Sequence, residues 1–303
     1  MSTKKERPGF FKLYFKNFKS MLVGNVLFSI PLVIASALVY LLAKALDQAT
    51  NVWFLALVII LIYPFYSGVT QITKDVVKGG KEAINPLKAF KKGIKNNVKY
   101  FALYGVLIYL AVIISYYSIS LYISFASKSL IFLVPAFIAI LISLFLLFMS
   151  FSLPILTVTL ELKLKHYFKN AALMAFGEIL MNVYVAVTTF VLLSACVSLS
   201  LYTGNPIAGV IVLIVSALLI LPTGISYCAV YRLYPKMEKL FKLEPKEEVK
   251  SFPTMPVPVP TDDEGNPIKP DISDDSEGYV FVNGRMIKKS LVNNNTEYID
   301  END

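Results

Sequence analysis

Charged residues, cysteine and histidine are all scarce in this chain of 303 residues, and each shortage excludes a class of protein. Only 17% of the residues are charged and 56% are hydrophobic, whereas a soluble domain needs about a quarter of its residues charged. The two cysteines, Cys196 and Cys228, lie in long apolar runs, so they supply neither a disulfide framework nor a zinc site. His166 is the only histidine. The composition therefore predicts an all-α integral membrane protein.

Motifs for catalysis are also missing. The sequence contains no P-loop, nucleophile elbow, HExxH or paired-carboxylate arrangement. Ion-coupled transporters place ionisable residues at mid-membrane, but Asp47, Glu161 and Glu178 fall at the ends of uncharged stretches. We therefore expect no enzymatic activity, no catalytic, metal-binding or cofactor-binding residues, and no bound cofactor.

The net charge of +8 is the difference between a basic body and an acidic tail. Residues 1–243 hold 23 basic and 7 acidic residues, whereas residues 244–303 hold 6 and 14. A basic membrane body with an acidic tail gives no support for nucleic-acid binding. We divide the chain into a basic amphipathic segment (1–20), a membrane domain (21–243) and a cytoplasmic, proline-containing tail (244–303).

Stretches without charged residues predict six membrane-spanning helices. The longest stretch, 179–231, exceeds the roughly 20 residues of one span, so it must turn back, and the Thr203–Pro206 segment has the residues of a turn. The first span is too long for a cleaved signal peptide and is interpreted as a retained anchor. The predicted spans are Met21 to Ala43, Val52 to Ile72, Tyr100 to Phe125, Leu130 to Leu160, Ile179 to Tyr202, and Ile207 to Tyr231.

The distribution of lysine and arginine predicts the orientation of these spans. One side of the predicted topology has 21 basic residues, whereas the other has only Lys44 and Lys128. Basic residues near a span are retained in the cytoplasm, so both termini are predicted to be cytoplasmic. The outward connections are then three short turns.

A similar basic-aromatic motif precedes each odd-numbered span, which is consistent with three repeated helical hairpins. Recurrence of such motifs at any membrane entry is the alternative.

The motifs also predict basic interfacial helices that contact anionic lipid headgroups, one before the first span and one beginning at Asn85 and Pro86. In the second helix, Leu87, Phe90, Ile94 and Val98 are expected to face inward. A docking surface for a cytoplasmic partner is the alternative interpretation. The motifs begin at Phe15, Phe90 and Phe168.

Polar residues inside the predicted spans are candidate site residues. Asn25 and Asn182 are expected to make hydrogen bonds between helices, with ligand contact as the alternative. Ser115, Ser118 and Tyr122 share one helix face, where they either belong to an aromatic belt or line a polar cavity. Prolines that are expected to kink the spans are Pro31, Pro64, Pro135, Pro154 and Pro222.

The composition of the chain changes after Leu243, where the tail begins. Its alternating prolines at 253–260 favour an extended conformation, and the acidic residues that follow favour disorder. Residues 279–288 read as two short strands around an Asn283–Gly284 turn. An isolated hairpin is marginally stable, so it is expected either to pair with another surface or to be unstructured.

The membrane body, over residues 10–240, resembles the YesL-like family of bacterial multi-pass membrane proteins of unknown function. The resemblance implies a bacterial plasma membrane location and an accessory role in carbohydrate uptake. The long acidic tail and a glycine-poor end to the first span depart from the family pattern. The resemblance rests on Asn25 with Ser29, Ile30 and Pro31, on the Pro86 to Asn97 segment, and on the Tyr167 to Ala171 segment.

Three functional hypotheses follow from the sequence. The first is an accessory or scaffold component of a membrane complex, with the tail as a tether to a partner. The second is a facilitator for a small neutral solute, based on the proline-containing even-numbered spans and the hydroxyl-rich third span. The third is a sensor of anionic lipid or envelope stress.

Overall fold

The computed structural model describes residues 8–79 and 84–241, together with the backbone of residues 279–282 and 285–288. The chain divides into two units, Met1–Glu244 and Pro245–Asp303. In the second unit, strands β1 (Tyr279–Val282) and β2 (Arg285–Lys288) pair antiparallel, with Tyr279 opposite Lys288. They occupy the position of the predicted hairpin. Its Asn-Gly turn and the proline-containing and acidic parts of the tail lie outside the described residues.

The regular secondary structure described in the first unit is helical. Asn51, Asn85 and Asn205 each accept a hydrogen bond from a backbone amide at a helix N-terminus, and the last two are followed by proline. The helices are α1 (Phe10–Lys16), α2 (Phe18–Ala45), α3 (Val52–Leu55), α4 (Val58–Lys78), α5 (Pro86–Ala126), a short 3-10 helix (Leu130–Phe132), α6 (Leu133–Thr159), α7 (Leu164–Gly177), α8 (Ile179–Tyr202), α9 (Pro206–Leu219) and α10 (Leu221–Leu240).

Within the described residues, five helical segments are long and apolar enough to cross a membrane. A sixth is counted if α9 and α10, which meet at a bend of 44°, form one span. This finding confirms the predicted helical class with several apolar helices. The bounds of α8 coincide with the predicted fifth span, whereas the predicted sixth span is broken at Ile220. The segments are Phe18–Ala45, Val52–Lys78, Pro86–Ala126, Leu130–Thr159 and Ile179–Tyr202.

The prediction of a separate interfacial helix before the third span is wrong, because a single helix, α5, covers both segments. It runs unbroken for 41 residues, about 61 Å at 1.5 Å per residue, which is twice the hydrocarbon thickness. The predicted inward face is also wrong in part, because Phe90 is buried and Ile94 half-buried but Leu87 and Val98 are exposed. No proline interrupts 87–126, so nothing in the backbone ends the helix at the predicted boundary.

Close packing against α4 fixes the buried face of α5. A Cβ atom placed on Gly93 would lie 2.6 Å from the Ser67 carbonyl oxygen and 2.9 Å from the Gly68 Cα atom. The Phe90 ring covers Gly68 so closely that a Cβ atom there would lie 2.4 Å from the ring. Small residues allow two helix backbones to approach in this way in a membrane. The buried face of α5 therefore follows Gly93 rather than the apolar residues predicted from the sequence.

Two ends of the bundle can be distinguished. The basic end contains α1, α7, the C-terminal turns of α4 and α10, and the N-terminal half of α5. Contacts join these parts: Thr73 to Ser226, Tyr100 to Tyr167 and Phe10 to Tyr227. The far end contains α3, the 3-10 helix and the connections at 46–51, 127–129 and 203–205.

Candidate functional site

The break between α9 and α10 is held by two side chains of α2. Pro222 has no N–H to donate to the Leu218 carbonyl, and the Ser29 hydroxyl donates to that carbonyl at 2.7 Å instead. Asn25 occupies the next position of the hydrogen-bond ladder: its Nδ2 donates to the Leu219 carbonyl at 2.5 Å, and its Oδ1 accepts from the Thr223 amide at 2.8 Å. The structure therefore places Asn25 in an interhelical contact.

Asn182 ties α8 to the end of α7. The Asn182 side chain is fully buried, and its Nδ2 donates to the carbonyls of Met174 at 3.0 Å and Glu178 at 3.1 Å. These carbonyls lie where α7 ends, and each also accepts a backbone amide, from Glu178 and Asn182 respectively, so the side chain adds a second hydrogen bond to each. This contact fixes the angle between the two helices.

The other predicted site residues are not brought together. Ser115, Ser118 and Tyr122 are half-buried on α5, and they line none of the cavities described for this chain. Pro31, Pro64 and Pro154 lie inside the continuous helices α2, α4 and α6, Pro135 lies in the first turn of α6, and Pro222 lies at the break.

Buried hydroxyl groups connect the helices at the basic end. Thr73 of α4 and Ser226 of α10 share a hydrogen bond of 2.8 Å, and Tyr104 of α5 and Thr157 of α6 share one of 2.9 Å. In an apolar environment these polar groups need partners, so each pair specifies how its helices dock. The second pair marks the wall of the cavity described next.

A cavity of about 760 Å³ opens beside this polar core at the basic end. We call it the basic cavity. Helices α4 and α5 form one wall, and the segment from the end of α6 to the start of α7 forms the other. The polar side chains that line it are Gln71, Lys74, Lys92, Asn96, Asn97, Tyr100, Thr157, Thr159, Glu161, Lys163 and Tyr167.

Lys74 is held in the basic cavity by two hydrogen bonds. Its ammonium nitrogen donates to the Val158 carbonyl at 2.7 Å and to the Gln71 Oε1 atom at 3.3 Å. The Gln71 amide is itself oriented, because its Nε2 donates to the Asp75 carboxylate at 2.8 Å. Lys74 forms no ion pair with the carboxylates of the described residues. A cation is therefore held in place by neutral acceptors.

Tyr167 closes the opposite wall. Its hydroxyl donates to the Leu160 carbonyl at 2.5 Å and accepts from the Leu162 amide at 3.1 Å. Burial raises the pKa of the Tyr167 phenol, so this group stays protonated and donates its hydrogen bond across the physiological pH range. The link between α6 and α7 is thereby fixed in the shape that lines the cavity.

Sequence reasoning missed the basic cavity. A local signal exists, since Gln71, Lys74 and Asp75 follow helical spacing at the end of the second span, and Asn96 and Asn97 interrupt a lysine-rich segment. The lysine-rich segment around Asn96 and Asn97 is predicted only to contact lipid headgroups or a partner, and no cavity is predicted at Gln71, Lys74 or Asp75. The cavity needs the end of α6, which is 84 residues away from Lys74 in the chain.

A metal centre finds no support in the described part of the chain, where no three His, Cys, Asp or Glu side chains are grouped to hold an ion. Cys196 and Cys228 are buried and free. Compared with known protein families, curated proteins and solved structures, the chain gives no significant match. The resemblance to the YesL-like family therefore stays a prediction, and the chemistry of the basic cavity carries the functional argument.

Proposed function

We propose that the protein is a non-enzymatic, six-span protein of the bacterial plasma membrane that serves as an accessory or scaffold component of a membrane complex. One observation carries the proposal: buried or half-buried aromatic side chains hold the basic segments against one end of the bundle, and the lysines of these segments are exposed. A fixed basic surface suits a docking role better than loose loops would, because less conformational entropy is lost on binding.

Helix α1 illustrates this fastening. The Phe10 ring lies 4.9 Å from the Tyr227 ring and 5.2 Å from the Tyr231 ring, and the Tyr227 hydroxyl donates to the Phe10 carbonyl at 2.8 Å. On the other side of α1, Phe11 and Phe15 are exposed by 71% and 67%. An aromatic surface of this kind fits the apolar layer beneath lipid headgroups. Helix α1 is thus proposed to lie at the membrane interface, docked on α10.

Helices α5 and α7 are fastened in the same manner. Phe90 packs on Gly68, and Tyr167 is 2% exposed with its hydroxyl hydrogen-bonded. These aromatic side chains orient α5 and α7 so that the lysines of both helices face outward. The exposed lysines of α1, the N-terminal half of α5 and the start of α7 are Lys12, Lys16, Lys88, Lys91, Lys92, Lys95, Lys99, Lys163, Lys165 and Lys169.

The proposed topology has three helical hairpins, six spans and both termini in the cytoplasm. It is supported by the position of the exposed lysines at one end of the bundle. Reporter fusions after Asp47, Lys128 and Asn205 should all report an exterior location. A cytoplasmic signal at any of the three would contradict the topology.

The scaffold role is tested by capturing the full chain from membranes in mild detergent. We expect a stoichiometric partner with the native chain, and its loss when Lys88, Lys95 and Lys99 are replaced together by glutamine. These lysines are exposed, so the thermal stability of the variant should be unchanged. Recovery of the monomer alone in several detergents would contradict the proposal. If the partner is a sugar transporter, the link to carbohydrate uptake implied by the YesL-like resemblance gains its first support.

Sensing of anionic lipid is the second candidate, and the exposed lysines favour it because each attracts an anionic membrane surface by about 1 kcal/mol. Protease cleavage between Lys74 and Lys99 should then slow in vesicles that contain anionic lipid. Equal cleavage in neutral and anionic vesicles would contradict this candidate. A facilitator for neutral solutes has less support, because Ser115, Ser118 and Tyr122 line none of the described cavities. Uptake into proteoliposomes tests this candidate.

A further inference from the structure

The basic cavity holds more positive charge than its own carboxylates can neutralise. Lys74, Lys92 and Lys163 line it, and Glu161 is the single carboxylate among the described residues of the lining. We propose that this cavity binds a phosphate monoester group, carried by a small soluble molecule or by a lipid headgroup. The inference rests on the proposed function only in placing the basic end of the bundle in the cytoplasm.

Lys74 is prepared to bind an anion. An ammonium group has three N–H donors, and Lys74 uses two of them for the Val158 carbonyl and Gln71. Both acceptors are neutral, and the neighbouring Asp75 carboxylate, which binds Gln71, forms no ion pair with Lys74, so the positive charge is held in position and only partly balanced. The third donor has no acceptor in the described residues. An anion in the cavity would therefore meet a cation whose position is already fixed.

The neighbouring groups supply the rest of the coordination. Lys92 makes no hydrogen bond or ion pair within the described part of the chain, although it lines the same cavity as Lys74. Asn96 adds an amide and Tyr100 a phenol, both able to donate hydrogen bonds. The start of α7, whose N-cap residue Lys163 lines the cavity, adds the positive end of a helix dipole. All these contributions favour negative charge.

The negative end of α6 also borders the cavity, but two of the carbonyls there already accept hydrogen bonds from side chains. The Val158 carbonyl accepts from Lys74, and the Leu160 carbonyl accepts from Tyr167. These hydrogen bonds satisfy the acceptors that would otherwise repel an anion. The wall is therefore compatible with a negatively charged ligand.

A phosphate monoester fits this charge better than a carboxylate or a neutral sugar. It carries a charge of roughly −1.5 to −2 near pH 7 and three strong acceptor oxygens. Three lysines against one carboxylate leave an excess of about the same size. The cavity of about 760 Å³ also has room for the body to which the phosphate is attached, whether a small polar molecule or a glycerol backbone.

The test compares four forms of the purified full chain: native, Lys92→Gln, Lys74→Met and the control Lys91→Gln. Lys91 is exposed on the same helix and carries the same charge, but it does not line the cavity. Binding of glycerol 3-phosphate is measured by calorimetry in detergent at constant ionic strength. Binding to phosphatidic acid is measured in phosphatidylcholine nanodiscs with and without that lipid.

We expect Lys92→Gln to weaken binding at least about tenfold, because a hydrogen bond between charged groups is lost. Lys91→Gln should bind glycerol 3-phosphate like the native chain and lose at most about fivefold in phosphatidic acid binding, which is the contribution of one exposed lysine at an anionic surface. Lys74→Met should abolish binding. If that variant fails to fold, Lys92→Gln keeps the test valid, since Lys92 forms no hydrogen bond or ion pair with the described residues that its loss could leave unpaired. Glycerol 3-phosphate binding assigns a soluble ligand, and phosphatidic acid binding assigns a lipid headgroup. Equal losses in Lys92→Gln and Lys91→Gln, or no binding in either assay, would overturn the inference. These assays contain no partner protein, so their outcome is independent of the scaffold test.

Discussion

The two halves of the membrane bundle are built in different ways. At the basic end, large side chains are fully buried, among them Tyr104, Tyr167, Tyr227 and Tyr234. At the far end, the buried side chains are mostly small, such as Ala43 at 0% and Ala136 at 3% exposure, and the outer faces of α5, α6, α8 and α9 expose large apolar residues. Lipid tails are as apolar as leucine, so hydrocarbon gives helices little reason to bury large apolar surfaces against each other.

The difference shows where the structure is specified. Buried polar side chains such as Asn25, Gln71, Thr73, Thr157 and Asn182 concentrate in the half that carries the lysines. A hydrogen bond between two helices is strong only within a narrow range of distance and angle, whereas two apolar helix faces can pack against each other in several ways. The basic half therefore fixes the arrangement of the helices and the shape of the basic cavity. The far half is held by close contacts of small residues and by its turns.

The largest expected effect tests the backbone contact in the basic half. In Gly93→Ala the new methyl group would meet the Ser67 carbonyl and the Gly68 Cα atom, which belong to a helix backbone and cannot rotate away. We expect the free energy of unfolding to fall by about 3 kcal/mol, which is the upper end of the usual range for substitutions that overpack a buried site. Thermal unfolding in detergent measures the change.

Gly209→Ala is the counterpart of that variant in the far half, because its nearest contact would be the Ser200 carbonyl at a looser 3.0 Å. We expect a loss of about 1 kcal/mol there. Gly177→Ala is the control, since no atom lies within 4 Å of the added Cβ. Equal losses at positions 93 and 209 would show that the halves do not differ in packing.

The next effect concerns the broken span. Asn25→Leu keeps the approximate side-chain size but leaves the Thr223 amide and the Leu219 carbonyl without partners, so we expect a loss of about 2 kcal/mol. At the far end, Asn205→Ala removes an exposed N-cap and should cost about 1 kcal/mol. Chemical denaturation in mixed micelles compares the two. A larger loss for Asn205→Ala would reverse the proposed order.

A smaller effect isolates one buried hydrogen bond. Tyr104→Phe and Thr157→Val each remove one side of the 2.9 Å contact, so a double-mutant cycle should give a coupling energy of about 1 kcal/mol. Tyr122→Phe removes the hydroxyl of a half-buried tyrosine on the same helix that makes no side-chain hydrogen bond in the described structure, and it should change the stability little. A coupling energy near zero would mean that this bond does not help specify the basic half.

A feature of this fold can be predicted from the sequence when the contacts that determine it join residues close together in the chain. The bounds of α8 follow from local signals, because Glu178 and the Thr203–Pro206 segment mark its ends. The continuity of α5 does not, because a helix that stops near Tyr100 and one that continues have the same local composition. Packing on α4 through Gly93 decides between them.

The candidate site follows the same rule. Asn25 is recognisable as a polar residue that needs a partner inside a span, but that partner lies 194 residues later in the chain. The basic cavity joins Lys74 to the carbonyl of Val158, and a backbone carbonyl carries no signal in a sequence. Candidate site residues can therefore be identified from the sequence, whereas their assembly into one site depends on tertiary contacts.

The smallest expected effect concerns a turn of the far half. Asp47 follows α2 with φ of 55°, and its neighbours form the two hydrogen bonds of a Schellman motif, from the Gln48 amide to the Ala43 carbonyl and from the Asp47 amide to the Lys44 carbonyl. Glycine adopts this left-handed conformation without steric cost, so Asp47→Gly should raise the free energy of unfolding by roughly 0.5 kcal/mol. Asp47→Ala removes the same charge but keeps the Cβ atom, and it should lower the stability instead. If the two variants behave alike in thermal unfolding, charge rather than backbone conformation controls this turn. A difference between them would show that turns limit the stability of a half whose helices share few large buried side chains.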